Sequence, residues 1–291
     1  LEFRRVLFRS ASITWGDSFT LASKPFNYRV MAGIGDNTSK VTKYDNPNRT
    51  LTDPYEGQQL GEIWGYVVDG YFKTDEEARN YKVDQSFVNQ MINASALDNG
   101  LHAGDLKFVD LDGNNKIEQT TSANDRKDMK VIGNSLPRYN YNFGISADWY
   151  GIDFSVLFQG IGKQNWYPGA ETSMFWGPYS RPYASFIPSD FMSQVWSEEN
   201  TDAYFPRPRG YVALGSNREL AVVNTKYLQN LAYCRLKNLS IGYTLPDKWL
   251  SKIGFEKIRV YFSGENLLTF TKLHSDYIDP EQASASNSWK T

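Results

Sequence analysis

Cysteine and histidine are nearly missing from this 291-residue chain, which has only Cys234, His102 and His274. One thiol excludes an internal disulfide framework and a cysteine metal cluster, and two imidazoles are too few for an ordinary histidine zinc centre. Long hydrophobic runs are missing as well. No stretch approaches the 18 or more apolar residues of a membrane helix, so any bilayer crossing would have to be made by strands. An excess of one charge is also absent: 31 Lys+Arg against 33 Asp+Glu leave a formal net charge of -2, and nucleic acid is not indicated as a partner. The acidic group Asp69, Glu76 and Glu77 has no histidine or nucleophile beside it, so the sequence reads as a non-enzyme. There is no signal peptide with a basic start, apolar core and cleavage site. Residues 1–10, LEFRRVLFRS, carry three arginines among bulky apolar residues and match nothing that follows. They read as a non-native or artefactual leader, set apart from residues 11–291.

Aromatic residues, by contrast, are abundant. Nineteen Tyr, 17 Phe and 8 Trp make up 15% of the chain, yet the mean hydropathy is -0.53. Aromatics interleaved with polar residues point to strands. The clearest case is Tyr139 to Gly160, where Tyr139, Tyr141, Phe143, Ile145, Ala147 and Trp149 alternate with Asn, Gly, Ser and Asp. The alternation resumes after Tyr150 and Gly151 with Ile152, Phe154, Val156 and Phe158. The eleven residues from Tyr139 to Trp149 have the length of a tilted membrane-crossing strand, with one face suited to lipid and the other to a wet lumen. A soluble sandwich with one solvated face gives the same alternation. Two further hairpins are predicted. One joins Ala11 to Thr20 with Tyr28 to Ile34 through residues 21–27. The other joins Asn238 to Leu245 with Lys257 to Leu267 through residues 246–255, where one helical turn surrounds Trp249 and Leu250.

Between the hairpins lie long excursions, one from Gly35 to about Pro137 and one from Ile161 to about residue 227. Short and long connections therefore alternate, as they do in outer-membrane barrels with short periplasmic turns and long outer loops. The fold class is all-β: a partial transmembrane antiparallel β-barrel of about six strands, with long extracellular loops. Six strands cannot close such a barrel, so more chain must complete the edges. The first excursion is too long to lack structure of its own. Thr74 and Glu77 mark a helix start there. In the second excursion the aromatics Trp166, Tyr167, Phe175, Trp176, Tyr179, Tyr183 and Trp196 have two readings: they pack the loop against its neighbours, or they form a wet surface for substrate or a lid.

Five ordered segments carry a resemblance: GEIWGYVVDGYFKTDEEA (Gly61 to Ala78), GDLKFVDLDGNNKI (Gly104 to Ile117), VIGNSLPRYNYNFG (Val131 to Gly144), YCRLKNLSIGYTLP (Tyr233 to Pro246) and Arg259 to Glu281, which ends in DPE. Together they resemble the C-terminal part of a TonB-dependent receptor of the Bacteroidetes starch-utilisation and RagA type. The resemblance implies a 22-stranded outer-membrane barrel whose plug, TonB box and terminal strand lie outside these residues. It also implies a surface lipoprotein lid, a TonB complex acting through the missing N-terminal region, outer-membrane lipid around the wall, and energy-coupled import of oligosaccharides or peptides. Two alternatives are a soluble extracellular carbohydrate-binding β-module and a non-transporting structural or adhesion barrel.

Within the second segment, Asp110, Asp112 and Asn114 stand at positions one, three and five of a calcium-loop pattern, with the Lys116 carbonyl at seven. Thr121 replaces the closing Glu, Asp125 could substitute for it, and Asp105 could brace the turn. The pattern is read either as a structural calcium site or as an Asx-rich turn. His102 and His274 read as ordinary loop residues, and Cys234 as a small side chain near a strand start.

Overall fold

The structure is a computed structural model that describes residues 5–89, 100–180, 186–251 and 254–283. Its frame is one six-stranded antiparallel sheet. The first hairpin pairs β1 (Arg5–Leu21) with β2 (Lys24–Lys40). The first excursion follows, containing β3 (Glu62–Tyr66), β4 (Val68–Tyr71), α1 (Asp75–Asn80), β5 (Leu106–Phe108) and β6 (Met129–Asn134). The central hairpin is β7 (Arg138–Trp149) and β8 (Ile152–Lys163). The second excursion carries β9 (Asn165–Trp166), α2 (Ser173–Trp176) and β10 (Gln229–Asn230). The third hairpin is β11 (Tyr233–Thr244), α3 (Asp247–Leu250) and β12 (Arg259–Thr271). The order β1-β2-β7-β8-β11-β12 places each hairpin beside the next, and the sheet does not close.

The short turns follow from backbone sterics. Ala22 and Ser23 have φ of 49° and 63°, and Tyr150 and Gly151 have φ of 54° and 85°. Two successive positive φ values give the two-residue turn whose twist matches that of the flanking strands. The central turn therefore lies at Tyr150 and Gly151, as the alternation predicts. The first hairpin is longer than predicted, because Pro25 sits at the start of β2, before pairing with β7 begins at Phe26. At its other end, residues 5–10 and the polar residues 35–40 continue the ladder up to Arg5 opposite Lys40. Backbone pairing extends here beyond the apolar pattern that makes a strand visible in sequence.

Register separates the two faces. Nearest the short turns, Phe19, Phe26, Trp149, Ile152, Tyr243 and Val260 form one row across all six strands. Farther along the same face, Trp15, Val30, Ile145, Val156 and Leu239 form another. Trp15, Ile145, Phe262 and Val260 are among the large apolar side chains left exposed. The opposite face carries Gly16, Arg29, Ser146, Ser155, Ser240 and Ser263 in a single row. Along β2 the apolar face runs from Phe26 to Ile34. That is about 27 Å along the strand at about 3.4 Å per residue, or about 21 Å perpendicular to a bilayer at a 40° tilt, close to the roughly 25 Å band of outer-membrane barrels.

On the polar face, Arg259 Nε donates to Asp153 Oδ2 at 3.0 Å, reaching from β12 to β8 over β11. A Cβ on Gly242 would collide with both side chains, so the intervening strand carries glycine where the ion pair crosses it.

Candidate functional site

The two excursions and the segment after β12 share one core at the loop end of the sheet. Tyr66, Tyr71, Phe108 and Ile117 come from the first excursion, Phe175, Trp176, Tyr179, Phe205 and Tyr227 from the second, and Leu273 and Ile278 from the segment after β12. Phe205 lies at the centre. Its ring stacks on Phe191 at 4.6 Å and on Tyr227 at 6.1 Å, and meets Phe175 edge-on at 5.6 Å. Several tyrosines of this core place their hydroxyls on partners, as burial of a polar group favours. Tyr179 donates to the Pro206 carbonyl at 2.7 Å, Tyr167 to that of Leu220 at 2.8 Å, and the Tyr71 and Tyr227 hydroxyls lie 2.9 Å apart.

This placement bears directly on the aromatic residues singled out as substrate or lid contacts. Phe175, Trp176, Tyr179 and Trp196 are buried, while Trp166 and Tyr167 are half-buried against the same core. Tyr167, Phe175, Trp176 and Tyr179 pack ring against ring in the interior of the loop body, and Trp196 stands at the edge of an open cleft. Tyr183 lies outside the described residues. Alternation cannot expose such a core, because its partners are far apart in sequence: Tyr71 and Tyr227 are 156 residues apart.

Sequence reading also misses the ion network beneath the core. Asp105 and Glu219 are fully buried and share the guanidinium of Arg209, whose Nε lies 3.2 Å from Glu219 Oε1 and whose Nη2 bonds Asp105. Arg207 adds a second cation, with its Nε 3.7 Å from Asp105. Burial first, and the Asp105 charge second, push the Glu219 carboxyl up to about 7. Asp105 accepts from the His102 amide at 2.9 Å and serves this network, where the sequence suggested a brace for the aspartate-rich turn.

At that turn, Asp110 accepts from the amides of Gly113 and Asn115 at 2.7 Å each, and Asn114 accepts from that of Lys116 at 2.8 Å. The carboxylate grouped with Asp110 and Asp112 within 4.8 Å is that of Asp128; Asp125 is not in the group. Asp128 is fully buried and accepts from Leu111 and Glu118, and all six carboxylate oxygens of the three residues receive an N–H.

Two sequence motifs meet at the outer end of β11. Arg235 donates to Asp279 at 2.6 Å, to Glu281 at 2.9 Å and to the Thr269 hydroxyl at 2.9 Å, tying the DPE segment back onto the wall. His274 stacks on Tyr204, with ring centroids 3.5 Å apart, and its Nε2 lies 2.8 Å from Gln194 Oε1. Burial holds its pKa below the ordinary value. Thr74 caps α1 by accepting from the Glu77 amide at 3.1 Å, as the sequence predicts, and the helix runs to Asn80.

An accessible cleft opens where the excursions meet, lined by Lys73, Asp75, Trp196, Glu198, Thr201 and Arg207 among others.

No family model matches the chain. Among curated proteins of Formosa agariphila, it is 30% identical over 228 residues to TonB-dependent receptor P3, a match covering 78% of this chain and 19% of that protein. It is 26% identical over 289 residues to TonB-dependent receptor P39, covering 88% of this chain and 26% of that protein. The chain thus spans between a fifth and about a quarter of these relatives. A structure of the RagAB peptide importer in its open-open state matches 98% of this chain and 27% of its own, with a TM-score of 0.61 at 17% identity. The closed-closed state of that importer matches with a TM-score of 0.58. With this sequence match, and with a sheet that is itself an open stretch of barrel wall, the chain belongs to the TonB-dependent receptors and shares the fold of a RagA-type barrel.

Proposed function

We propose that the full-length protein imports peptides across the outer membrane, energised by a TonB complex and lidded by a surface lipoprotein, and that this chain supplies wall strands and outer loops. The observation that carries the reading is the two-faced sheet. Apolar rows cross its strands on one face over a bilayer-sized band, and serine, glycine and arginine line the other. Short turns lie at one end and both folded excursions at the other, which supports a periplasmic end and an extracellular end.

Peptide cargo is favoured over oligosaccharide by what the loop body leaves open. Phe175, Trp176, Tyr179 and Trp196 are buried, whereas the accessible cleft carries both cations and carboxylates. The named importer among the structural neighbours points the same way. The test is accumulation of a fluorescent oligopeptide by cells carrying the full-length receptor, with and without a working TonB. Accumulation that depends on both is expected. Accumulation independent of TonB, or uptake of a labelled maltooligosaccharide in place of the peptide, would overturn the reading.

A further inference from the structure

The cleft between the two excursions is built rather than incidental. Gly104 has φ of +83°, and a Cβ there would stand 2.6 Å from the Trp196 ring and 2.8 Å from Arg207 Cβ. Only glycine lets both walls close onto this turn. Backbone bonds then hold the walls together. The Gly104 amide donates to the Phe72 carbonyl at 2.8 Å, that of Arg207 to Gly104 at 3.0 Å and that of Trp196 to Phe205 at 3.0 Å. On the opposite side, Asp75 Oδ1 accepts from the Ala103 amide at 2.8 Å. The cleft, open to solvent on one side, has a volume of about 700 Å³, within the range of small-ligand sites.

Its chemistry is mixed. Lys73 and Arg207 supply cations, and Glu198 and Asp75 supply carboxylates. Trp196, 7% exposed, sets its ring against Gly104 as part of the wall. A short peptide with free termini carries both complementary charges.

We propose that this cleft is a subsite for peptide termini. Lys73 and Arg207 hold a carboxylate, and Glu198 holds an ammonium with Asp75 adding to the field. The inference rests on the peptide reading of the cargo.

The test uses the purified full-length receptor in detergent micelles, with calorimetry against trialanine, N-acetyl-trialanine amide and maltohexaose. Lys73→Gln and Glu198→Gln alter solvent-accessible groups of the cleft wall, and heat-dependent gel mobility verifies that each variant folds. Trialanine should bind, and each variant should weaken it by about 5-fold, the range of a partly exposed charge pair. Binding of the capped peptide should be weaker and unchanged by either substitution. If cells take up peptide but trialanine binds no better than its capped form, or binds the variants equally well, the cleft assignment is overturned while the cargo reading stands. If the receptor binds maltohexaose and cells take up no peptide, the cargo reading fails and the subsite falls with it.

Discussion

Replacing Arg209 with Met tests whether the buried ion network holds the loop body together. Arg209 is the cation shared by Asp105 and Glu219, whose side chains are both fully buried. Its loss leaves two carboxylates facing one another, with Arg207, 3.7 Å from Asp105, as the remaining nearby cation. Removing one partner from a buried, hydrogen-bonded ion pair costs about 3–5 kcal/mol. At about 1.4 kcal/mol per decade, the opening equilibrium of the loop body should rise by roughly two to nearly four orders of magnitude. Hydrogen exchange of the full-length receptor in micelles reads this directly. Residues 104–108 and 195–220 should lose protection, while residues 139–160 of the central hairpin keep theirs. A change below about threefold, or equal loss in the hairpin, would refute the idea that the network is a local clamp. The same network predicts a pH dependence. Because the Glu219 carboxyl is raised from 4.5 to about 7, the folded state holds a proton that the unfolded chain has released between those values. Its contribution to stability is full below about 4.5 and is lost as pH rises through about 7. Protection of the loop body, corrected for intrinsic exchange, should therefore fall between pH 5.5 and 7.5, and Glu219→Gln should flatten the slope.

Other expectations are more local. Gly242→Ala should destabilise the wall by displacing the Asp153–Arg259 pair, and the loss should shrink in an Asp153→Ala background; additive losses in gel-mobility melting would show that the pair and the glycine are independent. Asp279→Ala leaves Arg235, 4% exposed at its side chain, without its most buried partner. The segment after β12 should then become open to trypsin at Lys272, and a cleavage rate equal to wild type would sink this reading. If the N–H donors to Asp110, Asp112 and Asp128 hold the turn by themselves, EDTA should leave exchange at residues 110–118 unchanged; lost protection would show that a cation completes the turn.

The burial of the aromatic excursion also changes how deletions should be read. Removing Trp166 to Phe205 looks from the sequence like the removal of a contact surface. In the structure it takes out Phe175, Trp176, Tyr179 and Phe205, so the rest of the loop body would lose its core and any loss of binding would be uninformative about contacts. Substitutions at Lys73 and Glu198 avoid that ambiguity, because they alter the cleft without touching the packed rings.

By itself, the sequence determined the wall of this protein. A period of two assigns every second residue to one face of a strand, and paired strands share that period, so alternation revealed the strands, their two faces and the turn at Tyr150 and Gly151. It also revealed the family, because five motifs recur in order. Strand ends beyond the apolar band were hidden, since residues 35–40 are polar although still paired. The loop body was decided only by tertiary structure. Its defining contacts join residues with no periodic relation: Asp105 with Arg209 across 104 positions, Arg235 with Asp279 across 44, and Trp196 and Arg207 against Gly104. Aromatic side chains of one composition can form either a surface or a core, and long-range closure of the two excursions placed them in a core and left the charged cleft open to solvent.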